Sequence, residues 1–298
     1  MKKLVFDVGG SAIKYALMDN DANIYDKGSV VTPMDTFEHF LDVLKGVYEK
    51  YQDQIDGIAM SVPGTIDNEK GMIYAPGALT YNANQNLREA IHTFCDLPVA
   101  MGNDGKSAAL AECWKGNLSD CEDGIVIVVG TGLGGGIIKD KKLWKGQHLF
   151  AGEFSFVSLG TKVGFDGDIW AMKGSTSALI METAQRKQVD PSTLNGVKIF
   201  EMIQNGDEDA QAALTSVAKY LAVGIYNLQC ILDMSKVLIG GGVSKQPLFV
   251  EAIRQELDKI YGNLPFPIPH AQVENCKFYN DANLMGALYN YMITYGKE

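Results

Sequence analysis

The chain of 298 residues contains little cysteine, and what it has shows no pattern that would cross-link a fold. Its five cysteines are scattered, and none belongs to a Cys-x-x-Cys pair, so neither a disulfide framework nor a zinc ribbon is predicted. The four histidines show no metal-ligand spacing. Hydrophobic residues make up 46% of the sequence, which is enough to build substantial cores instead.

Long hydrophobic runs are also absent. No apolar stretch approaches the ~20 residues that a membrane-spanning helix needs, and the amino terminus shows no signal-peptide pattern. The formal net charge is −10, which opposes nucleic-acid binding in a chain without a local basic patch. The densest lysine group, within residues 139–145, is explained as a solvated hairpin end. We therefore expect a cytoplasmic protein with neither a membrane nor a nucleic-acid partner.

Glycine-rich turns are the most informative feature that the sequence does have. In residues 5–14, and again in residues 128–138, an apolar run meets such a turn and a second apolar run follows at once. Glycine removes the Cβ that would block a ligand, and the N–H groups of the turn can point together at an anion. Two such turns suggest two related lobes that hold one polyphosphate. The second turn is neither a Walker loop nor a Rossmann fingerprint.

Hydrophobic periodicity predicts an α/β organisation in both halves. The predicted strands are 2–8, 12–18, 24–31, 55–62, 98–101, 125–129 and 236–239. The first predicted helix is capped by Asp35 or Thr36 and runs to about residue 51, and the other predicted helices are 87–94, 107–114, 209–232, 247–260 and 283–295. Polar residues and glycine replace the apolar runs within residues 115–123, so we place the boundary there and predict domains 1–118 and 119–282.

Two carboxylates close to these features are candidate catalytic groups. Asp7 lies at the end of a buried strand beside Gly9, where it could hold Mg²⁺ next to phosphates; the alternative is a turn or capping role. Asp104 follows a strand and precedes a helix. It could accept a proton from a substrate hydroxyl, although capping explains most Asn-Asp pairs before helices.

Two further motifs leave their role open when each is taken alone. The run 240–244 begins with three glycines between a strand and a helix, where a nucleoside could approach the backbone or where the chain could simply turn. Glu153 follows a glycine and could hydrogen-bond sugar hydroxyls, or it could be a surface residue of a loop.

Taken together and in order, these residues resemble the ROK family (repressor, open reading frame, kinase) of sugar kinases and sugar-responsive repressors. The resemblance covers essentially the whole chain and implies two actin-like, ribonuclease-H-like α/β lobes with ATP in the cleft between them. It also implies that the carboxy-terminal helix, about 283–298, packs back on the first lobe. ATP, Mg²⁺, a sugar acceptor and a homodimer are the implied ligands and assembly.

The resemblance assigns roles to individual residues of this chain. Asp104 is implied as the catalytic base, and Asp7 as the residue that holds Mg²⁺, directly or through water. The implied ATP-binding residues are Asp7, Gly9, Gly10, Ser11, Lys14, Gly130, Thr131, Gly132, Gly134, Gly241 and Gly242. The implied sugar-binding residues are Gly64, Asn103, Asp104, Glu153 and Phe156.

The sugar motif departs from the family pattern. Residues 152–156 read Gly-Glu-Phe-Ser-Phe where the family has Gly-Glu-Ile-Gly-His. In most members that histidine contacts the sugar and binds a structural zinc with three downstream cysteines; here Phe156 replaces it, and residues 159–170 contain no cysteine. A glutamate that normally follows those cysteines is replaced near Ala171. The resemblance therefore implies a zinc-free variant.

The lost polar groups lie, in the family, toward the anomeric side of the sugar. An aromatic side chain there could stack on an aglycone or a second sugar ring, which is similar to the family's β-glucoside kinases; alternatively, Phe156 only fills volume. A glucokinase or another hexose kinase, for fructose or N-acetylmannosamine, is the alternative function. We do not expect a repressor, because the first phosphate loop begins at Asp7 and leaves no room for a helix-turn-helix. Asp7 and Asp104 argue against a non-catalytic sugar-binding protein.

Overall fold

A computed structural model describes residues 1–164 and 166–296. The strands in chain order are β1 (Lys2–Val8), β2 (Ala12–Met18), β3 (Ile24–Val31), β4 (Ile55–Val62), β5 (Thr65–Asp67), β6 (Met72–Ala75), β7 (Gln85–Asn86), β8 (Val99–Asn103), β9 (Gly124–Val129), β10 (Leu133–Lys139), β11 (Lys142–Leu143), β12 (Lys236–Gly240) and β13 (Val273–Asn275). The helices are α1 (Phe37–Tyr48), α2 (Leu87–Ile91), α3 (Asp104–Lys115), α4 (Trp170–Gly174), α5 (Thr176–Lys187), α6 (Gly196–Gln204), α7 (Glu208–Leu232), α8 (Pro247–Gly262) and α9 (Ala282–Tyr295).

The described chain divides into two compact units. The first contains Met1–Gly116, Lys142–Ala151 and the described residues from Asp281 onward; the second contains Asn117–Lys141 and Gly152–Asn280. The sequence-based boundary between residues 118 and 119 had placed 142–151 in the second lobe. A buried lysine explains this difference, because Lys106 Nζ donates a hydrogen bond of 2.8 Å to the carbonyl of Leu149 and so attaches the segment to α3.

The first unit is built on a sheet with strand order β3-β2-β1-β4-β8. Its first three strands are antiparallel neighbours, whereas β4 and β8 run parallel to β1. Leu4 and Phe6 of β1 form a core with Phe40 and Leu44 of α1. Helix α9 packs against α3 and against β1, β4 and β8, so the carboxy-terminal helix belongs to the first unit.

The second unit repeats this plan. Strands β9 and β10 form an antiparallel hairpin, β12 runs parallel to β9, and β13 runs parallel to β12. Asp207 caps the long helix α7, and its side chain accepts a hydrogen bond from Ala210 N at 3.0 Å. Its apolar face joins Trp170 and Leu179 in the core beneath the sheet. Two units with a hairpin followed by parallel strands confirm the predicted actin-like, ribonuclease-H-like α/β fold class.

Most predicted elements are confirmed, and the differences have local causes. The strands predicted at 2–8, 12–18, 24–31 and 55–62 have the predicted bounds. Helix α3 begins three residues earlier than predicted, at Asp104, because Asn103 caps it. The small sheet of β5, β6 and β7 was not predicted, since its strands have two to four residues each. Within the described residues, no helix combines the length and apolarity needed to cross a membrane.

One contact between α9 and α3 sets how close these two helices lie. Gly286 packs on the backbone of α3, where an added Cβ would lie 1.7 Å from the carbonyl oxygen of Ser107. Backbone atoms cannot move aside as a flexible side chain can, so we expect Gly286→Ala to lower the free energy of unfolding by about 1–3 kcal/mol. Urea unfolding followed by circular dichroism measures this loss.

The control for this substitution is Gly46→Ala in the exposed part of α1. No atom lies within 4 Å of the Cβ that this change adds, and alanine favours a helix over glycine by about 0.5–1 kcal/mol. Gly46→Ala is therefore expected to be neutral or stabilising. Equal effects of the two substitutions would show that α9 does not depend on the close contact.

Candidate active site

The hairpin of β1 and β2 places a buried carboxylate at the first glycine-rich turn. Asp7 is the penultimate residue of β1, is 6% exposed, and is opposite Lys14 in the strand pairing. Lys14 Nζ lies 3.3 Å from Asp7 Oδ2, and Asn283 Nδ2 of α9 donates to Oδ1 at 2.9 Å. Both carboxylate oxygens therefore have a fixed direction.

The turn that follows is held by a side chain from outside the hairpin. Thr32, which comes directly after β3, donates from Oγ1 to the carbonyl of Gly9 at 2.7 Å, and its backbone N–H donates to Ser11 O at 3.3 Å. Gly9 N closes the turn by donating to Ala12 O at 3.1 Å. Gly10 and Ser11 lie exposed at its tip.

A tyrosine supports this attachment in turn. Tyr81 donates its hydroxyl hydrogen to the carbonyl of Pro33 at 2.7 Å, next to Thr32. Burial, with a smaller contribution from the charge of Asp35, raises the pKa of Tyr81 to about 12. The hydroxyl consequently stays protonated, and stays a donor, at every physiological pH.

The second glycine-rich turn, between β9 and β10, is closed in a similar way. Gly130 N donates to Gly132 O at 3.0 Å, and Gly130 O accepts from Thr176 N at 2.9 Å. The hydroxyl of Ser155 accepts from Leu133 N at 3.0 Å and donates to Leu133 O at 2.9 Å. Thr131 is left exposed at the tip.

The third glycine motif lies beside this second turn. Gly241 has a φ of +89°, and a Cβ there would lie 2.2 Å from the carbonyl oxygen of Val129 at the end of β9. Only glycine fits this combination of left-handed backbone and close approach. Gly242 then begins a short 3-10 turn, Gly242–Lys245, in which Ser244 Oγ donates to Gly241 O at 2.8 Å.

The pair Asn103 and Asp104 occupies the start of α3. Asn103 caps the helix, since its Oδ1 accepts from Lys106 N at 3.1 Å, and its Nδ2 donates to Gly64 O at 2.9 Å. Asp104 Oδ1 accepts from Gly105 N at 2.8 Å. The capping alternative therefore holds for Asn103, and the same contacts bring together three of the predicted sugar-side residues of the first unit.

In the second unit, the predicted sugar-side and phosphate-side residues line one cavity. Its volume is about 1140 Å³, and Thr131, Gly132, Glu153, Phe156 and Ala171 contribute to its wall. Gly130, Gly134, Gly241 and Gly242 do not line it. The Phe156 side chain is 52% exposed, which opposes the alternative that its ring only fills a buried gap.

Three residues that hold the predicted loops were missed by sequence reasoning. Thr32 contacts Gly9 of the first turn and Asn283 contacts Asp7 of β1. Both are distant in sequence from these partners, and only the β3 pairing and the return of α9 bring them there. Ser155 lies inside the sugar motif of residues 152–156, in which only Glu153 and Phe156 were predicted as site residues. Its signal was the presence of a hydroxyl where the family motif has glycine.

The side-chain donor atoms of the described residues differ in how well they suit zinc and Mg²⁺. Among residues 1–164 and 166–296, no group of three or more His, Cys, Asp or Glu side chains could hold a metal ion. Mg²⁺ differs from zinc in needing only one or two carboxylates besides phosphates and waters. Asp7, buried and directed beside the first turn, fits that requirement.

Comparisons with known proteins give a consistent result. The sequence profile of the ROK family matches residues 4–291. A β-glucoside kinase of Listeria monocytogenes is 28% identical over 295 residues, which cover 98% of each chain. A ROK family protein of Streptococcus pneumoniae, solved in complex with sucrose, superposes with a TM-score of 0.90 at 28% identity and covers 99% of both chains.

A second solved structure contains both kinds of ligand. The ROK family glucokinase of Streptomyces griseus, in complex with glucose and AMPPNP, has a TM-score of 0.83 to this chain at 25% identity. The match covers 97% of this chain and 98% of that one.

The sequence also generates a prediction about zinc. No cysteine lies between Cys121 and Cys230, so a tetrahedral Cys/His site cannot be built in the loop that follows Phe156. Elemental analysis of the purified protein is expected to find no stoichiometric zinc, and a zinc-selective chelator is expected to leave the melting temperature unchanged. One tightly held zinc per chain would contradict this.

Proposed function

The chain belongs to the ROK family, and we propose that it is an ATP-dependent kinase that phosphorylates the 6-hydroxyl of a glucosyl unit. The observation that carries the proposal is the cavity of the second unit. It joins Thr131 and Gly132 of a phosphate-binding turn to Glu153 and Phe156 of a sugar-binding motif. A phosphate donor and a sugar acceptor need such adjacent sites, because phosphoryl transfer depends mainly on positioning.

The two glycine-rich turns supply the groups that bind phosphate. In the first, Lys14 contributes a cation and the exposed tip at Gly10 and Ser11 contributes backbone N–H groups. In the second, Thr131 contributes a hydroxyl and Gly132 a backbone N–H. The other glycines assigned to ATP (Gly9, Gly130, Gly134, Gly241 and Gly242) shape these turns and let the nucleotide approach the backbone.

Asp7 is the residue that would hold Mg²⁺, directly or through water. When bound, Mg²⁺ neutralises charge on the β- and γ-phosphates. The contacts from Lys14 and Asn283 fix the orientation of the carboxylate, so it does not have to be ordered when the nucleotide binds.

Asp104 accepts the proton of the 6-hydroxyl as that oxygen forms its bond to the γ-phosphorus and the bond to the ADP oxygen breaks. Asn103 orients the sugar beside it: its Nδ2 carries a second N–H besides the one donated to Gly64. Gly64 and Glu153 complete the contacts to the ring hydroxyls. Asp104 is the first residue of α3, and the side chain of Asn103 caps this end of the helix.

A β-linked glucoside such as cellobiose fits the anomeric side of the site better than free glucose. Phe156 offers an exposed aromatic face in the cavity, on which a second ring can stack. Free glucose would direct a hydroxyl at this apolar face, and an unpaired buried polar group costs about 1–3 kcal/mol. The alternative functions are a glucokinase or a kinase of fructose or N-acetylmannosamine. A cytoplasmic homodimer is the proposed form of the enzyme.

Replacing the base tests the proposed chemistry. Asp104→Asn keeps the size and the cap of α3 but cannot accept the proton, so we expect kcat to fall by about 10²–10⁴-fold while sugar and ATP affinities stay within about threefold. Asp42→Asn, on the exposed side of α1, is the control and is expected to have wild-type turnover. Near-normal turnover of Asp104→Asn would remove Asp104 from this role.

The acceptor preference is tested by comparing kcat/KM for cellobiose and glucose. We expect cellobiose to be favoured by about tenfold or more. Phe156→Ala is expected to remove most of this preference because it deletes the stacking face, whereas Phe156→Tyr, which keeps the ring, is expected to retain it. A higher kcat/KM for free glucose in the wild-type enzyme would show that the chain is a hexokinase-type ROK enzyme instead.

A further inference from the structure

One side chain in the second unit connects the sugar motif to the phosphate-binding turn. The hydroxyl of Ser155 makes two hydrogen bonds to a single residue, since it accepts from Leu133 N at 3.0 Å and donates to Leu133 O at 2.9 Å. Leu133 is the first residue of β10, directly after the tip formed by Thr131 and Gly132. The hydroxyl therefore fixes the backbone where the strand leaves the phosphate-binding turn.

The segment that carries Ser155 is itself rigidly attached. Ser155 is the middle residue of the 3-10 turn Phe154–Phe156. The ring of Phe154 is buried and meets Trp170 edge to face, with centroids 6.0 Å apart. Val157 O accepts a hydrogen bond from Trp170 N at 2.7 Å. Because these contacts restrict the segment Phe154–Phe156, the Ser155 side chain can in turn restrict the glycine-rich turn that it contacts.

The side chains of residues 153–156 contact different parts of the second unit. Phe154 enters the core, Glu153 and Phe156 line the cavity, and Ser155 both lines the cavity and hydrogen-bonds Leu133 beside the phosphate-binding turn. Four consecutive residues thus connect the core, the proposed acceptor site and the proposed phosphate site.

We propose that Ser155 is a positioning residue that holds the second phosphate-binding turn in register with the acceptor side of the cavity. The inference rests on the proposed kinase function. Without the hydroxyl, the N–H and C=O of Leu133 lose these partners, and a tip with glycine on both sides of Thr131 gains freedom. The N–H and hydroxyl groups aimed at the nucleotide then lose their preorganised positions, which weakens their effect on charge in the transition state.

Ser155→Ala tests this inference. We expect kcat/KM for ATP to fall by about tenfold, since each hydrogen bond of this kind contributes roughly a factor of two to ten. The dissociation constant of the sugar, measured without nucleotide by intrinsic fluorescence, is expected to stay within twofold. Ser158→Ala is the matched control, because among the described residues the Ser158 hydroxyl contacts only the nearby Gly160, donating to its carbonyl at 2.9 Å and accepting from its N–H at 3.5 Å; we expect it to match the wild type.

A second measurement separates this inference from the proposed reaction. Binding of a fluorescent ADP analogue (N-methylanthraniloyl-ADP) needs no turnover, and Ser155→Ala is expected to weaken it by about tenfold. An unchanged affinity for the analogue overturns the inference, whether or not the wild type is a kinase. An equal loss of sugar affinity also overturns it, because that result would mean a general loosening of the turn. Absence of wild-type turnover on every sugar, with the analogue still bound, overturns only the proposed kinase function.

Discussion

A glycine-rich turn presents its N–H groups to a phosphate better when contacts from neighbouring segments restrict its backbone. Glycine gives the close approach that a phosphate needs, but it also leaves the unliganded turn with many conformations. In this chain, each of the two glycine-rich turns is restricted by a hydroxyl group from a neighbouring segment. Thr32 holds Gly9 in the first unit, and Ser155 holds Leu133 in the second. Each hydroxyl bonds to backbone next to the exposed tip, so the tip itself stays open to a ligand.

The carboxy-terminal helix has a comparable role for the buried carboxylate of the first unit. Helix α9 can approach closely because Gly286 lies on the backbone of α3, and the same helix brings Asn283 to Asp7. A half-exposed ion pair between Lys27 and Asp281, immediately before α9, is a further contact between the start of the helix and β3. The orientation of Asp7 thus depends on residues nearly 280 positions away in sequence, and a strand-Asp-x-Gly-Gly motif alone does not determine it.

This dependence explains what sequence could and could not predict. The sequence pattern identified β1, β2, β3 and β4 with their observed bounds. Burial accounts for β1, β2 and β4, whereas β3 is a largely exposed edge strand that its β-branched residues and the preceding turn indicated. Helices α4, α5 and α6 were not predicted. Among the site residues, most of those inside a motif were found, with Ser155 as the exception, whereas Thr32 and Asn283 lie outside every motif and were not. Their role comes from sheet pairing and helix packing, which a linear motif does not record.

Two departures from the family's sugar motif, Phe156 in place of histidine and the absence of the zinc-binding cysteines, both concern how the turn Phe154–Phe156 is attached. A histidine at position 156 that binds both sugar and zinc would connect the acceptor site to a metal-organised loop. Here the turn Phe154–Phe156 is attached by the Phe154–Trp170 ring contact and by the hydroxyl of Ser155 instead. The Phe156 side chain is half-exposed and lines the cavity, so an aromatic ring is accommodated at position 156 while the hydroxyl of Ser155 contacts the glycine-rich turn beside it.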